Sequence, residues 1–322
     1  MTVVICTYRP RINVLKDALD RILEELSTVN KISVLVVVNE EGYLSTLDEV
    51  VGQYPTVQFR ECAQSGLLNA RLYAIRNTDD DILFVDDDNL LGNGYLNRLH
   101  QFITMNKNIG IVGCGTLTLP SEYEVPNSIK PLLSAVAIRS LARTVWTNVP
   151  FAVDPPYGAG MFVRRTVLVG YLHFFEHLPA PSQIGRSPVS LSGYEDFIFM
   201  FVSCKLGLGY SVNKDLEITH VVDPNRLQPS YYLRPLVSME TGAWECDRLA
   251  QSIYEQYFTA RLRAEKSKLY ACIHLLKELR NIVATICKIP IQRESFFPLL
   301  CRLYCSLASI RTAKRILLTG SS

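Results

Sequence analysis

Apolar runs alternate with helix-like patterns over the first third of the chain. Four runs rich in β-branched residues have the length and continuity of buried strands. They are Val3–Cys6, Val34–Val38, Val57–Phe59 and Ile82–Val85. Between them, apolar residues recur every three or four positions, as in Leu15–Leu26 and Gly66–Arg76, which predicts helices that pack on the strands. This alternation indicates an α/β fold with a mostly parallel sheet and flanking helices, whose ligands bind at the carboxyl ends of the strands.

The regular alternation stops after a predicted strand at Ile109–Gly113. The segment Pro120–Pro131 is rich in turn-forming residues, and Leu132–Val149 fits either a helix or a strand. Pro179–Ser192 is a predicted polar loop, and apolar residues at helical spacing beyond Trp244 predict long helices. The chain is therefore predicted to hold a large α/β domain followed by a helical C-terminal extension.

Three consecutive aspartates, Asp86, Asp87 and Asp88, follow the fourth predicted strand. Carboxylates this close repel one another and cost stability unless a cation or a cationic group lies among them. A solvated acidic turn that caps a helix beginning near Gly94 is an equally good interpretation. From these residues alone, the cluster is either a cation site or a helix cap.

Three further segments carry candidate chemistry. Glu195 and Asp196 open a strongly apolar helix, where acidic residues also serve as ordinary helix caps. His220 lies in a predicted strand, Leu216–Val222, where a single histidine is more often a core residue than a ligand. Gly158-Ala159-Gly160 precedes another apolar run, and such small residues predict a close approach of the backbone to a ligand or to a packing neighbour.

Composition and missing motifs exclude several classes of protein. The 322 residues carry a net charge of +2 without a basic and aromatic stripe, so no nucleic-acid partner is expected. TYRP follows the first strand in place of GxGxxG, and GxxxxGK[ST] occurs nowhere, which disfavours a dinucleotide-binding dehydrogenase and a P-loop NTPase. Nine scattered cysteines without a CxxC pair predict reduced thiols in a cytoplasmic protein. No uninterrupted apolar run reaches about 18 residues, so no membrane-spanning helix is expected.

The small net charge hides an uneven distribution. From Arg261 onward the sequence has twelve basic residues and three acidic ones. Basic residues beside apolar helix faces suit an anionic membrane surface. Helices packed on the α/β domain or on a second subunit are the equal alternative.

Six segments, taken in order, resemble the family 2 glycosyltransferases, which are nucleotide-sugar-dependent enzymes with a GT-A type fold. They are VVICTYRP (Val3–Pro10), GLLNARLYAIRNT (Gly66–Thr78), ILFVDDDN (Ile82–Asn89), GAGMFVRR (Gly158–Arg165), GYEDFIFMFVSCKLGLGY (Gly193–Tyr210) and ITHVVDPNRL (Ile218–Leu227). Each motif is weak alone, whereas the ordered set is specific. The resemblance implies a GT-A catalytic domain at residues 1–243, with a nucleotide-sugar half at 1–115 and an acceptor half at 116–243. Residues 244–322 then form the helical extension.

The resemblance also implies an inverting, metal-dependent sugar transfer. Asp88 is the expected direct ligand of Mn²⁺ or Mg²⁺, with Asp86 near the ribose or a metal-bound water and His220 as a third ligand. Asp196 is the expected catalytic base for the acceptor hydroxyl, and Glu195 positions it. The expected substrate-binding residues, among which Arg226 is a charge clamp for the diphosphate, are Thr7, Tyr8, Arg9, Asn39, Arg71, Asp86, Asp87, Gly158, Ala159, Gly160 and Arg226.

One departure from the family pattern concerns the nucleotide base. Members often carry an aspartate after the second strand, where this chain has Asn39-Glu40-Glu41-Gly42, so the identity of the base stays open. A UDP-sugar is the expected donor, and a glycan or a lipid-linked molecule is the expected acceptor, in polysaccharide or glycoconjugate biosynthesis in the cytoplasm or at the inner face of the membrane. The alternative is a catalytically silent module that binds sugar-nucleotides as a scaffold.

Overall fold

The computed structural model describes residues 1–26, 31–178, 193–255, 257, 259, 262–263, 268–286 and 296–319. The predicted polar loop at Pro179–Ser192 lies outside the described residues.

Strands and helices alternate along the chain and then give way to helices alone. The strands are β1 (Thr2–Thr7), β2 (Ser33–Val38), β3 (Gln58–Glu61), β4 (Ile82–Asp86), β5 (Asn89–Leu91), β6 (Ile109–Thr118), β7 (Arg139–Ser140), β8 (Val145–Thr147), β9 (Met161–Val163) and β10 (Gly209–His220). The α-helices are α1 (Ile12–Leu26), α2 (Asp48–Gln53), α3 (Leu67–Arg76), α4 (Tyr95–Met105), α5 (Arg165–Glu176), α6 (Glu195–Lys205), α7 (Pro229–Ile253), α8 (Lys268–Ile286) and α9 (Phe296–Thr319). Short 3₁₀ helices lie at Leu44–Leu47, Lys130–Val136 and Pro224–Leu227.

The described strands form one sheet in the order β3-β2-β1-β4-β9-β6-β10-β5, and β7 and β8 pair with β6 and β10. The strands β1 to β4 are mutually parallel. Because β9 is antiparallel to both β4 and β6, strands β6 and β10 run in the same direction as β1 to β4. The strands that run the opposite way are the short ones, β5, β7, β8 and β9. The predicted mostly parallel sheet is confirmed.

Alternate residues of the central strands pack against opposite layers of helices, as the two-residue period of a strand requires. Val3 and Ile5 belong to the core formed with α1, α2 and α4, whereas Val4 belongs to the core formed with α3, α5 and α6. Full burial of one such aliphatic side chain contributes about 1.5–3 kcal/mol. Two apolar layers therefore hold the sheet rigid from both sides, and its loops extend from a fixed edge.

Two predicted elements differ from the structure. The strand predicted at Leu216–Val222 begins already at Gly209, because a register shift between Asn213 and Glu217 interrupts the pairing of β10 with β6. The exposed Lys214 and Asp215 in this irregularity break the apolar pattern, so the first half of the strand does not look like one in the sequence. The undecided segment Leu132–Val149 contains a 3₁₀ helix and the strands β7 and β8.

The C-terminal part of the described chain is helical, as predicted. Helix α7 runs continuously through residues 243 and 244, and α8 and α9 pack on each other while α9 also packs on α7. None of the described helices is long and apolar enough to cross a bilayer. The division of the chain at residue 243 remains a prediction.

The topology gathers several predicted site residues at one edge of the sheet. Strands β1 and β4 are parallel neighbours, and Cys6 is in register with Asp86. The antiparallel pairing of β5 with β10 places His220 opposite Asn89. Thr7, the three aspartates and His220 therefore meet at the carboxyl end of the parallel strands.

Gly160 provides a test of this packing. It adopts a φ of +69°, and a Cβ atom there would lie 2.6 Å from Tyr95 Oη and closer still to Ile218 Cδ1. We expect Gly160→Ala to lower the free energy of unfolding by about 2–4 kcal/mol, because strain and overpacking add. Gly42→Ala is the matched control: its φ is +75° but nothing lies within 4 Å, so only the backbone strain of about 1 kcal/mol remains. Urea denaturation measures both losses, and equal losses would contradict a role of close packing at Gly160.

Candidate active site

The aspartate cluster faces inward instead of capping a helix. The first-turn amides of α4 are bound by Glu25 of α1, whose carboxylate accepts hydrogen bonds from Gly94 N at 2.6 Å and Leu96 N at 3.1 Å. Asp87 instead accepts a hydrogen bond from the Thr7 hydroxyl. Asp88 Oδ1 lies 3.2 Å from His220 Nε2. The helix-cap interpretation of the cluster is therefore wrong.

The three carboxylates differ in their electrostatic surroundings. Burial, followed by the charge of Asp88, raises the pKa of Asp86, and the same two causes raise the pKa of Asp87 to about 7. Burial would raise the pKa of Asp88 as well, but the hydrogen bond and charge of His220 outweigh it and hold that pKa below its ordinary value. The charges of Arg226 and Arg11 add to this effect on Asp88. Asp86 and Asp87 thus lack sufficient positive charge nearby, which favours binding of a cation.

His220 holds its ring in a fixed orientation next to Asp88. Its Nδ1 lies 3.1 Å from the carbonyl oxygen of Val136, which makes Nδ1 the donor and turns Nε2 toward the cluster. A backbone carbonyl on the far ring nitrogen is the usual support of a metal-binding histidine. The satisfied core histidine and the candidate ligand are therefore the same residue.

The donor set fits a divalent ion that is shared with a substrate. In the described part of the chain, no three His, Cys, Asp or Glu side chains converge as a ready metal cage. Mg²⁺ is commonly held by one or two carboxylates together with substrate phosphates and water, and does not need such a cage. Asp88, Asp86 and His220 supply oxygen and nitrogen donors of that kind at one place.

A second acidic group surrounds the buried guanidinium of Arg71, on α3. Arg71, only 2% exposed, pairs with Asp196 through Nη1, and the same nitrogen lies 3.5 Å from Glu195 Oε1. Its Cζ lies 5.3 Å from the ring centroid of Phe84, on β4. Burial works against the charge, but Asp196 and Glu195 together raise the pKa of Arg71 above its ordinary value. Arg71 therefore stays charged and joins α3 to the start of α6.

Asp196 is held from a second side by the backbone of Gly158, whose N–H donates to Oδ2 at 2.7 Å. A Cβ atom on Gly158 would lie 2.8 Å from both carboxylate oxygens and closer still to Arg71 Nη2. Only glycine leaves room for this contact. The partners of Asp196 thus lie on other elements, so the prediction of a simple helix cap for this residue is also wrong.

The two acidic groups belong to one site. The charge of Arg71 lowers the pKa of Asp86, and the charge of Asp196 raises it. Arg226 lies on the 3₁₀ turn after β10 and lowers the pKa values of Asp87 and Asp88. The structure therefore brings together Thr7, Arg71, Asp86, Asp87, Asp88, Gly158, Glu195, Asp196, His220 and Arg226.

The remaining predicted substrate contacts are occupied differently. Arg9 forms a two-point ion pair with Glu40, at 2.5 and 2.8 Å, and its guanidinium lies 5.5 Å from the ring of the exposed Tyr8. The buried amide of Asn39 donates to Gln64 O and accepts from Gly66 N, each at 2.7 Å, and so fixes the loop before α3. Ala159 is buried beside its two glycines. Substrate contacts by these residues stay predictions.

Two arginines of the site lie outside the predicted set. Arg11 donates to Val221 O, and its Nη2 lies 3.8 Å from Asp88. Arg139 donates to Cys114 O and, at 2.7 Å, to Pro155 O, which fixes the segment that leads to Gly158. Neither contact has a local sequence signal, because every acceptor is a backbone carbonyl or a side chain far away in the chain.

A cleft of about 610 Å³ lies elsewhere, between the α4–β6 connection and β8, and its lining includes Met105, Lys107, Asn108, Thr144 and Trp146. It borders Ile109, where β6 begins, and therefore lies at the edge of the sheet opposite the aspartates. The position of the candidate site follows from its side chains and not from cavity size.

The fold, with an acidic cluster and a second carboxylate at one edge of a mostly parallel sheet, defines a protein of the GT-A glycosyltransferase class. The chain belongs to the family described as "Glycosyltransferase like family 2", which matches residues 1–228. The prediction of this family is confirmed, and with it the prediction that the protein is a glycosyltransferase.

Solved structures show a similar fold at low sequence identity. One is the mannosyltransferase PcManGT from Pyrobaculum calidifontis in complex with GDP-Man and Mn²⁺, with a TM-score of 0.52 and 15% identity, covering 100% of this chain and 87% of that one. Another is S. aureus TarS 1–349, with a TM-score of 0.45 and 14% identity, covering 99% of this chain and 91% of that one. No curated protein sequence matches this chain.

The buried ion pair predicts a large stability effect. We expect Arg71→Gln to lower the free energy of unfolding by about 3–5 kcal/mol, because it leaves Asp196 and the buried Glu195 without a cation. Arg71→Lys should restore part of the loss. The control is Arg76→Gln, on the same helix, whose pair with Glu176 is exposed and should contribute less than about 1 kcal/mol. Chemical denaturation measures all three, and losses of similar size at positions 71 and 76 would contradict a special role for the buried pair.

Proposed function

We propose that this protein is a metal-dependent, inverting glycosyltransferase that moves a sugar from a nucleoside-diphosphate sugar to a hydroxyl group of the acceptor. The observation that carries the proposal is the position of Asp196. Its carboxylate is held by Arg71 and the Gly158 N–H within electrostatic reach of Asp86, at the edge where the sheet binds ligands. One carboxylate group suits a cation and the other suits a proton.

The donor side consists of Asp86, Asp87, Asp88, His220 and Arg226. Asp88, Asp86 and His220 would hold Mn²⁺ or Mg²⁺, which as a Lewis acid supplies neutralisation of the charge on the leaving diphosphate. Arg226 adds a second positive charge for the phosphates. Thr7 fixes Asp87 by its hydroxyl and so keeps the cluster in one arrangement.

The acceptor side consists of Asp196 and the groups that orient it. Arg71 and Gly158 N each use one oxygen of the carboxylate, and each oxygen keeps a further lone pair for a proton. Asp196 takes the proton of the incoming hydroxyl while that oxygen attacks the anomeric carbon from the side opposite the diphosphate. Glu195 shares Arg71 with Asp196 and positions it.

The chain divides by role in this proposal. Residues 1–115 bind the nucleotide-sugar, with Tyr8, Arg9 and Asn39 bordering the nucleotide. Residues 116–243 bind the acceptor, with Gly158, Ala159 and Gly160 letting the backbone approach the sugar. Residues 244–322 form the helical extension.

The donor is proposed to be a UDP-sugar, with a GDP-sugar as the competing choice because the Pyrobaculum calidifontis mannosyltransferase is in complex with GDP-Man. The acceptor is proposed to be a glycan or a lipid-linked molecule, in polysaccharide or glycoconjugate biosynthesis on the cytoplasmic side of the membrane. Arg9, paired with Glu40 at the nucleotide border, is a further candidate contact for the base or the ribose.

The role of Asp196 is tested by separating binding from transfer. Asp196→Asn keeps the shape of the side chain but cannot accept the proton, so donor affinity should persist while kcat falls by roughly 10²–10⁴-fold. Donor affinity is measured by calorimetry and transfer by release of the nucleoside diphosphate. Asp79→Asn, which changes an exposed carboxylate away from the site, should leave both unchanged. Turnover of Asp196→Asn at the wild-type rate would remove Asp196 as the base.

The role of Asp88 is tested by a panel of UDP-, GDP- and dTDP-sugars with and without Mn²⁺. One donor should raise the melting temperature of the wild type only when Mn²⁺ is present. Asp88→Asn should lose this stabilisation because it removes the ionised ligand of the cluster, whereas Asp79→Asn should keep it. If no donor stabilised the wild type in a metal-dependent way, the proposed donor chemistry would have to be abandoned.

A further inference from the structure

The outer face of helix α8 is apolar, in contrast to the polar outer face of an ordinary surface helix. Four aliphatic residues at helical spacing are strongly exposed there: Leu269 (67%), Ile273 (50%), Leu276 (65%) and Val283 (60%). Leu279 and Tyr270, at its margins, are exposed as well. The stripe follows 14 residues of helix, or about 21 Å. Contiguous exposed apolar surface of this kind marks a contact with a partner or with a membrane.

The opposite face of α8 fixes the orientation of the helix. Ala271 is fully buried against Trp244 of α7 and Ala313 of α9. The His274 ring stacks edge-on against Trp244 at 5.5 Å, and its Nε2 lies 3.0 Å from Ser309 Oγ. Because a buried polar contact and a close small-residue packing both lie on this side, α8 cannot roll to hide its leucines. The apolar pattern that predicted a packed helix therefore points outward.

The charges of α8 indicate what covers the stripe. Lys277 and Arg280 are exposed and lie at the stripe, whereas the acidic residue of this helix, Glu278, lies on the inner half beside Asn281. The sequence from Arg261 onward has twelve basic and three acidic residues. A second copy of this face would bring the same basic side chains together without acidic partners, which costs affinity. An anionic lipid surface attracts them at about 1 kcal/mol for each basic residue near it.

We propose that the outer face of α8 binds the surface of an anionic membrane, with Leu269, Ile273, Leu276 and Val283 inserted at the boundary of headgroups and acyl chains. The helix lies parallel to the surface, consistent with its not being long and apolar enough to span a bilayer. Lys277 and Arg280 contact the anionic headgroups. This inference goes beyond the proposed sugar transfer and does not rest on it, because it concerns where the enzyme resides and not which bond it forms.

Vesicle cosedimentation of the full chain tests the proposal. Wild-type protein should pellet with vesicles of phosphatidylcholine containing 30 mol% phosphatidylglycerol, in a salt-sensitive manner, and much less with phosphatidylcholine alone. The double variant Leu276→Gln and Val283→Gln should bind the anionic vesicles about tenfold or more weakly, because it removes two inserted side chains. The double variant Lys277→Gln and Arg280→Gln should bind more weakly and with a smaller dependence on salt.

The matched control is Met105→Gln, which changes an exposed apolar residue of α4 and should bind as the wild type does. Circular dichroism melting verifies that each variant is folded, and the substituted positions are exposed, so folding should persist. Wild-type pelleting equal to that of the leucine and valine variant would overturn the proposal. A concentration-dependent dimer in light scattering that the same variant abolishes, without vesicle binding by the wild type, would also overturn it and assign the face to a second copy. Neither outcome involves sugar transfer, so it would leave the proposed function untouched.

Discussion

The buried guanidinium of Arg71 is the interaction on which the candidate site depends. A charge that is taken out of water must be matched by opposite charge and hydrogen bonds at close range, or it destabilises the fold. Glu195 and Asp196 supply the charge, and Asp196 passes the constraint on to the backbone of Gly158. Helix α3, the start of α6 and the loop before β9 are thereby held in one arrangement. The same arrangement orients the carboxylate that we propose as the base.

The aspartate cluster illustrates the opposite electrostatic case. Arg71 compensates Glu195 and Asp196 within the protein, whereas Asp86 and Asp87 retain raised pKa values because burial and mutual repulsion exceed the positive charge nearby. A carboxylate group that already has its own cation is suited to exchanging a proton with a neutral hydroxyl. One that lacks a cation is suited to binding one. This difference in charge balance gives the two acidic groups of a single site different proposed roles.

The central strands could be predicted because they are buried on both faces and therefore read as continuous apolar runs, as in β1, β2 and β4. The first half of β10 could not, since Lys214 and Asp215 interrupt its pattern at an irregular pairing. Motif order located the carboxylates, but not the Arg71–Asp196 contact, which joins residues 125 positions apart. The exposed stripe on α8 was hidden for a different reason: its periodicity is that of a packed helix, and only the burial of Ala271 and His274 shows which face points inward.

The anomeric configuration of the sugar after transfer is the sharpest test of the role proposed for Asp196. A carboxylate held in one place, opposite the leaving diphosphate, supports a single displacement, and a single displacement inverts the anomeric carbon. Proton NMR can follow the sugar released to water from the donor that stabilises the protein, before the anomers interconvert. We expect the first anomer observed to have the configuration opposite to that of the donor. Release with retained configuration would contradict the assignment of Asp196 as the base of an inverting transfer.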